Sequence, residues 1–289
     1  MNRGLKNVPS KFLWERGWNI SIFDKRNLSI NFKHCLRNLP DIGRIFFAIA
    51  IAIMGLQTIW YDSFPYMMIP PKHSGVPGIE ILAYVFGALL SIVGVGIAFN
   101  KKIKPLSLLL GSVLLLIFCF CFMPYEFITD PNFQQFGEWE NAEKELALSG
   151  GAFVIAGCFS GNPPWRFWTK LVASGPILFA LTIICFGTDH LLYIKDAADY
   201  IPTWIPGHIF WAYFTGLALI GSGVAIVLKI NPRLIASLLG VMILSWVVIL
   251  HIPLVIASPF AHKGSEVTSA SLALAYSGIA FVIAGQAKK

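Results

Sequence analysis

Apolar residues in this chain gather into long runs, with no two-residue alternation inside them. Eight runs stand out, at 42–60, 79–99, 105–123, 146–160, 171–188, 207–228, 233–252 and 268–286. Most approach the roughly 20 residues that a helix rising about 1.5 Å per residue needs to cross a hydrocarbon core of about 30 Å. Backbone in lipid must satisfy its own hydrogen bonds, so such runs predict helices. The expected fold is all-α: a polytopic membrane protein with eight transmembrane helices, of which 146–160 is the shortest.

The pattern also repeats. "ALSGGAFVIAG" (147–157) and "AYSGIAFVIAG" (275–285) agree at nine of eleven positions. Earlier in the chain, Gly43, Phe47, Ala48, Gly55 and Tyr61 match Gly175, Phe179, Ala180, Gly187 and Tyr193 at an offset of 132. Between these, Pro77, Gly78, Ala83, Tyr84, Gly87, Gly94, Gly111 and Pro124 match Pro206, Gly207, Ala212, Tyr213, Gly216, Gly223, Gly240 and Pro253 at 129. A slowly falling offset is what a few loop deletions leave in a duplicated chain. The expected organisation is a tail (1–40), a first four-helix unit (41–160), a linker (161–173) and a second four-helix unit (174–289). Four spans is an even number, so the two units insert in parallel orientation, related by an axis along the membrane normal. Pro105, Pro176 and Pro232 are expected in first helical turns, where the missing N–H costs little, leaving the helices unbroken.

Composition agrees with a lipid environment. Hydrophobic residues make up 56% of the 289 positions and charged residues 13%, about half the usual share, and mean hydropathy is +0.69. Charge placement sets the orientation. With the N-terminus in the cytoplasm, 18 of the 22 Lys and Arg residues fall on inner segments; only Lys72, Lys144, Lys195 and Lys263 lie outside. This positive-inside bias predicts a bacterial-type inner-membrane protein with both termini cytoplasmic. The net charge of +7 then belongs to topology and to the lipid bilayer as partner, not to nucleic acid.

Residues 1–40 lack the apolar core of a signal peptide and read as a cytoplasmic tail, with an interfacial helix carrying Trp14, Trp18 and Phe23. The five cysteines form no C-x-x-C or zinc-finger spacing and read as small apolar filler. The segment 124–145, "PYEFITDPNFQQFGEWENAEKE", reads as an acidic, solvated outer loop; a docking surface for a basic partner is the sharper reading. No P-loop, G-x-S-x-G or H-E-x-x-H motif supports nucleotide or hydrolase chemistry.

Candidate chemistry gathers where the second unit meets the outer boundary. Asp189, His190 and Tyr193 leave the fifth span, His208 and Trp211 enter the sixth, and His251 ends the seventh. The first unit has Gln57, Thr58, Tyr61, Ile79, Leu82 and Phe122 at the matching positions, so only Tyr61 keeps the chemistry. Three readings are open. In a quinone site, His190 and His251 contact the ring carbonyls, Asp189 accepts the proton, and Tyr193, His208 and Trp211 shape the pocket. A b-type haem between two histidines such as His190 and His251 is the second, and a His- and Asp-ligated metal the third. The plain alternative is an interfacial belt of aromatic and polar side chains. Span interiors lack ionisable groups, which disfavours ion-coupled transport and leaves a carrier of neutral lipid or small molecules, or a scaffold for a partner complex.

The stretches "GTDHLLYIKDAADYIPTWIPGHIFWAYFTGLALIGSGVAI" and "RLIASLLGVMILSWVVILHIP" resemble the DoxX-like membrane proteins, built of four helices per unit. The first unit follows through its matched glycines and prolines, which makes the chain similar to a tandem DoxX pair. The resemblance implies that fold. Some relatives are linked to thiosulfate:quinone oxidoreduction and others to membrane complexes in oxidative-stress defence, so it implies a redox role or redox partner. It carries over no catalytic residue.

Overall fold

In a computed structural model the chain is described over residues 25–70, 77–129, 139–159 and 166–287, with side chains from residue 38 onward. The tail helix expected around Trp14, Trp18 and Phe23 lies outside these residues. Residues 38–289 form one compact unit. All described elements are helical: α1 (Lys25–Trp60), α2 (Ile79–Ala98), α3 (Ile103–Ile117), α4 (Glu140–Cys158), α5 (Arg166–Leu192), α6 (Ile194–Asp199), α7 (His208–Val227), α8 (Pro232–Trp246), α9 (Ile252–Ala257) and α10 (Ser265–Gln286).

Seven helices are long and apolar enough to cross a membrane by length and composition, the make-up of a multi-pass membrane protein. Their outward faces carry Ile81, Leu89, Ile92, Leu109, Leu217 and Leu238, each more than half exposed. Apolar surface on this scale has its place in lipid, not in water. The expected eighth span is the one that falls short of this measure. The apolar run at 146–160 is the second part of α4, whose first two turns carry Glu140, Glu143, Lys144 and Glu145. Residues 140–145 are thus helix, not solvated loop, and Glu143, Glu145 and also Glu126 are buried.

The core sits on α4 and α10, in which nearly every residue from Ala147 to Ala156 and from Ala275 to Ala284 is buried. These helices are built of Gly, Ala and Ser because they are packed on several sides at once. α4 packs against α3, α5 and α10; α10 also packs against α8, and α5 against α7. Close helix approach in lipid needs small residues. A methyl group on Gly278 would lie 2.5 Å from the Gly43 carbonyl oxygen, and one on Gly150 would lie 2.8 Å from that of Gly175. α1 therefore seats on α10 and α5 on α4, so the first helix of each sequence half docks on the last helix of the other half.

Local geometry recurs along the chain. Gly78 and Gly207 precede α2 and α7 with φ of 79° and 76°, a left-handed conformation that glycine adopts without steric cost. Lys101 N–H donates to the Gly96 carbonyl and Ile230 N–H to the Ala225 carbonyl, both at 2.8 Å. Ser149 Oγ donates to the Gly111 carbonyl at 2.8 Å and Ser277 Oγ to the Gly240 carbonyl at 2.9 Å.

The helices are not unbroken. π-helical segments occupy Phe118–Phe122 and Val247–His251, each followed two residues later by proline, at Pro124 and Pro253. A proline ring inside a helix clashes with the carbonyl four residues back, and inserting one extra residue into the turn moves that carbonyl aside. Pro105 and Pro232 do lie in first turns, but Pro176 is inside α5, which begins ten residues earlier at Arg166.

Candidate acidic site between α4 and α5

Asp189 lies in the last turn of α5, half-buried, with both carboxylate oxygens shielded from solvent and no hydrogen-bond partner among the described residues. The helical spacing of four puts Cys185 on the same face, and both look toward the first turns of α4. There Glu143 bonds the Cys185 thiol and feels the charge of Asp189, while its Oε2 is buried without a partner. Thr182 Oγ1 donates to the Glu143 carbonyl at 3.1 Å, tying the two helices together one turn deeper.

Among the described residues Lys144 is the cation paired within this acidic group. Lys144 Nζ is 2.7 Å from Glu140 Oε1 and 5.0 Å from the centre of the Tyr66 ring. Its charge and that of Glu140 both reach Asp189. From α10, the Tyr276 hydroxyl donates to the Lys144 carbonyl at 3.3 Å and its ring packs on Phe179 and Phe186 of α5. Residues 140–145 precede the apolar part of α4 and lie outside the seven candidate spans. Burial first, and Asp189 opposite second, push the Glu143 carboxyl up to about 7. The arrangement can exchange protons between facing carboxyls or accept a hydrogen-bond donor inserted between them.

The matching place in the first half is satisfied. Gln57, which precedes Asp189 by 132 residues, donates from Nε2 to the Gly264 carbonyl at 2.9 Å and accepts from the Thr268 hydroxyl at 3.0 Å. Thr268 in turn follows Glu140 by 128 residues. Where one half has a closed amide–hydroxyl pair, the other has Glu140 paired with Lys144 and Asp189 without a hydrogen-bond partner among the described residues.

The remaining sequence-derived candidates are spread around this end of the protein. His190 turns toward α7, where its Cβ lies 3.0 Å from the place of a methyl group on Gly216, and its Nδ1 is 2.8 Å from the Phe186 carbonyl. Tyr193 is exposed and caps α6, with its N–H on the Asp189 carbonyl at 2.8 Å. His208 opens α7. Trp211 packs beside Ala198, Ile201 and Ala212 with Trp246, which seats α6 on α7 and α8. His251 closes the π segment Val247–His251, with its Nδ1 buried and without a partner among the described residues. Among the described residues no hydrogen bond or ring contact joins His190, His208 and His251, and no three His, Cys, Asp or Glu side chains are placed to hold a metal ion.

Sequence reasoning missed Glu143, Glu145, Cys185 and Tyr276. Cys119 and Cys121, read as packed filler, are exposed on the helix surface, and Cys185 is a hydrogen-bond donor. The usable signal was in the sequence matches at offset 128, where Glu143 and Glu145 align with Ser271 and Ala273. No family model matches the chain, and no curated protein or solved structure is significantly similar to it.

Proposed function

We propose that the chain is a duplicated, DoxX-like inner-membrane protein that binds a quinone or quinol head group between α4 and α5, with Asp189 as the hydrogen-bond and proton acceptor. In this reading the apolar part of α4 from residue 146 onward is the eighth span, both termini are cytoplasmic, and the Glu140 end faces the periplasm. The basic residues crowded onto the opposite segments support that orientation, and the recurring turns, π segments and serine bonds support the duplication. The family assignment rests on the sequence resemblance alone.

The observation that carries the proposal is the contrast between Gln57, fully bonded, and Asp189, unpartnered beside Glu143. A buried polar atom without a partner costs stability unless a ligand or proton supplies one. His190 and His251 are the further candidates for contact with the ring carbonyls, and Tyr193, His208 and Trp211 for the walls. The quinol's electrons go to a redox partner docked at this end, and the chain's own share is binding and proton acceptance.

Quinone titration of the protein in nanodiscs, followed by tryptophan fluorescence, tests this reading. Asp189→Asn should weaken binding about tenfold or more, the effect of losing one hydrogen bond to a charged group worth about 1.5–3 kcal/mol. Unchanged binding in a folded Asp189→Asn variant overturns the assignment. The second reading, a lipid carrier, is favoured by an apolar groove of about 400 Å³ between α1 and α2, lined by Ala48, Ala52, Gly94 and Phe99 among others. It predicts co-purified lipid released by Ala52→Phe.

A further inference from the structure

Glu143 and Glu145 are two residues apart on one helix, so they project from nearly opposite sides of α4. Glu143 looks to α5. Glu145 looks the other way, within electrostatic reach of Cys121 on the first π segment and of Tyr276 on α10. Its side chain is fully buried, and neither carboxylate oxygen has a hydrogen-bond partner among the described residues. Among the described residues no cation is paired with it, and its chain neighbour Lys144 is engaged with Glu140. An isolated carboxylate in such surroundings is far more costly than the neutral acid. Cys121, by contrast, lies on the exposed face of its helix, and the π segment that carries it packs against α4.

We propose that Glu145 is a second proton-binding site, held as the neutral carboxylic acid in the resting protein and reached from the lipid past Cys121. It is separate from the pair of Asp189 and Glu143 and does not depend on the quinone reading. The π turn at Phe118–Phe122 is the natural point of entry, because its widened backbone is the least regular part of the wall that covers Glu145.

A lipid-soluble carbodiimide reports such an acid. The acid proton moves to a carbodiimide nitrogen, the carboxylate oxygen bonds the central carbon, and an O-to-N acyl shift fixes the whole reagent as an N-acylurea, with nothing leaving. The experiment treats the full chain in membranes with dicyclohexylcarbodiimide and maps the adduct by peptide mass spectrometry. The expected result is an adduct on Glu145, absent in Glu145→Gln, while a water-soluble carbodiimide leaves Glu145 unmodified. Yield should fall by about tenfold per pH unit once the medium is alkaline enough to ionise the acid. Asp189→Asn should leave the Glu145 adduct unchanged even where it abolishes quinone binding, which keeps the two proposals distinguishable. A folded protein with no adduct on Glu145, or equal modification by the water-soluble reagent, overturns the inference.

Discussion

Gly278 is a position at which one added methyl group should do clear harm. Its ideal Cβ would stand 2.5 Å from the Gly43 carbonyl oxygen and 2.9 Å from the Phe47 nitrogen, both backbone atoms of α1 that no rotamer change can move aside. Ordinary contact at such a Cβ begins near 3.4 Å, so α1 and α10 must part by close to an ångström. A gap of 0.5–1 Å forfeits roughly a quarter to a half of each dispersion contact along the seam. Overpacking of this kind costs about 1–3 kcal/mol. Against that, alanine gains about 0.5–1 kcal/mol over glycine from helix propensity. Gly221 isolates the second effect, because a methyl group there meets nothing within 4 Å. Thermal unfolding in detergent at one fixed scan rate should therefore place Gly278→Ala below the parent and Gly221→Ala at or above it. Equal transition temperatures for the two variants would refute the packing of α1 on α10.

Two further variants probe the polar groups. Gln57→Ala removes the amide's buried bonds to the Gly264 carbonyl and the Thr268 hydroxyl, leaving that hydroxyl only its long 3.4 Å bond to the same carbonyl, and should cost about 1–3 kcal/mol, measured in the same unfolding assay. Glu143→Gln removes a titrating group whose folded value is raised from 4.5 to about 7. A raised acid lends its stability below the unfolded value and loses it as pH climbs toward the folded one. The variant should therefore match the parent near pH 5 and exceed it near pH 8 by at most about 3 kcal/mol. A stability difference that does not change with pH would mean Glu143 is solvated.

The elements legible in the sequence were those that face lipid. α2 and α7 coincide closely with their apolar runs because one-sided burial leaves a continuous hydrophobic face to be seen. α4 was truncated on paper because hydropathy treats Glu143 and Glu145 as solvent-seeking, whereas the fold places them inside. A helix enclosed on several sides is written in small residues, and it can hold an acid that is kept neutral or shared. The π turns were illegible for a related reason: Pro124 and Pro253 announce a disturbance in the helix, but not whether the backbone breaks or widens. The outer histidines were legible as a group by depth alone. Rotation about each helix axis decides which side chains meet, and it brought Asp189 to Glu143 while turning His190 toward α7.

Photolabelling with an azido-quinone addresses the site most directly. Illumination of the membrane-embedded protein, followed by peptide mapping, should place the label on the end of α5 around Cys185–Tyr193 and on the first turns of α4, and excess unlabelled quinone should displace it. Label confined to other segments, or label that competitor quinone fails to displace, would contradict a quinone site between α4 and α5.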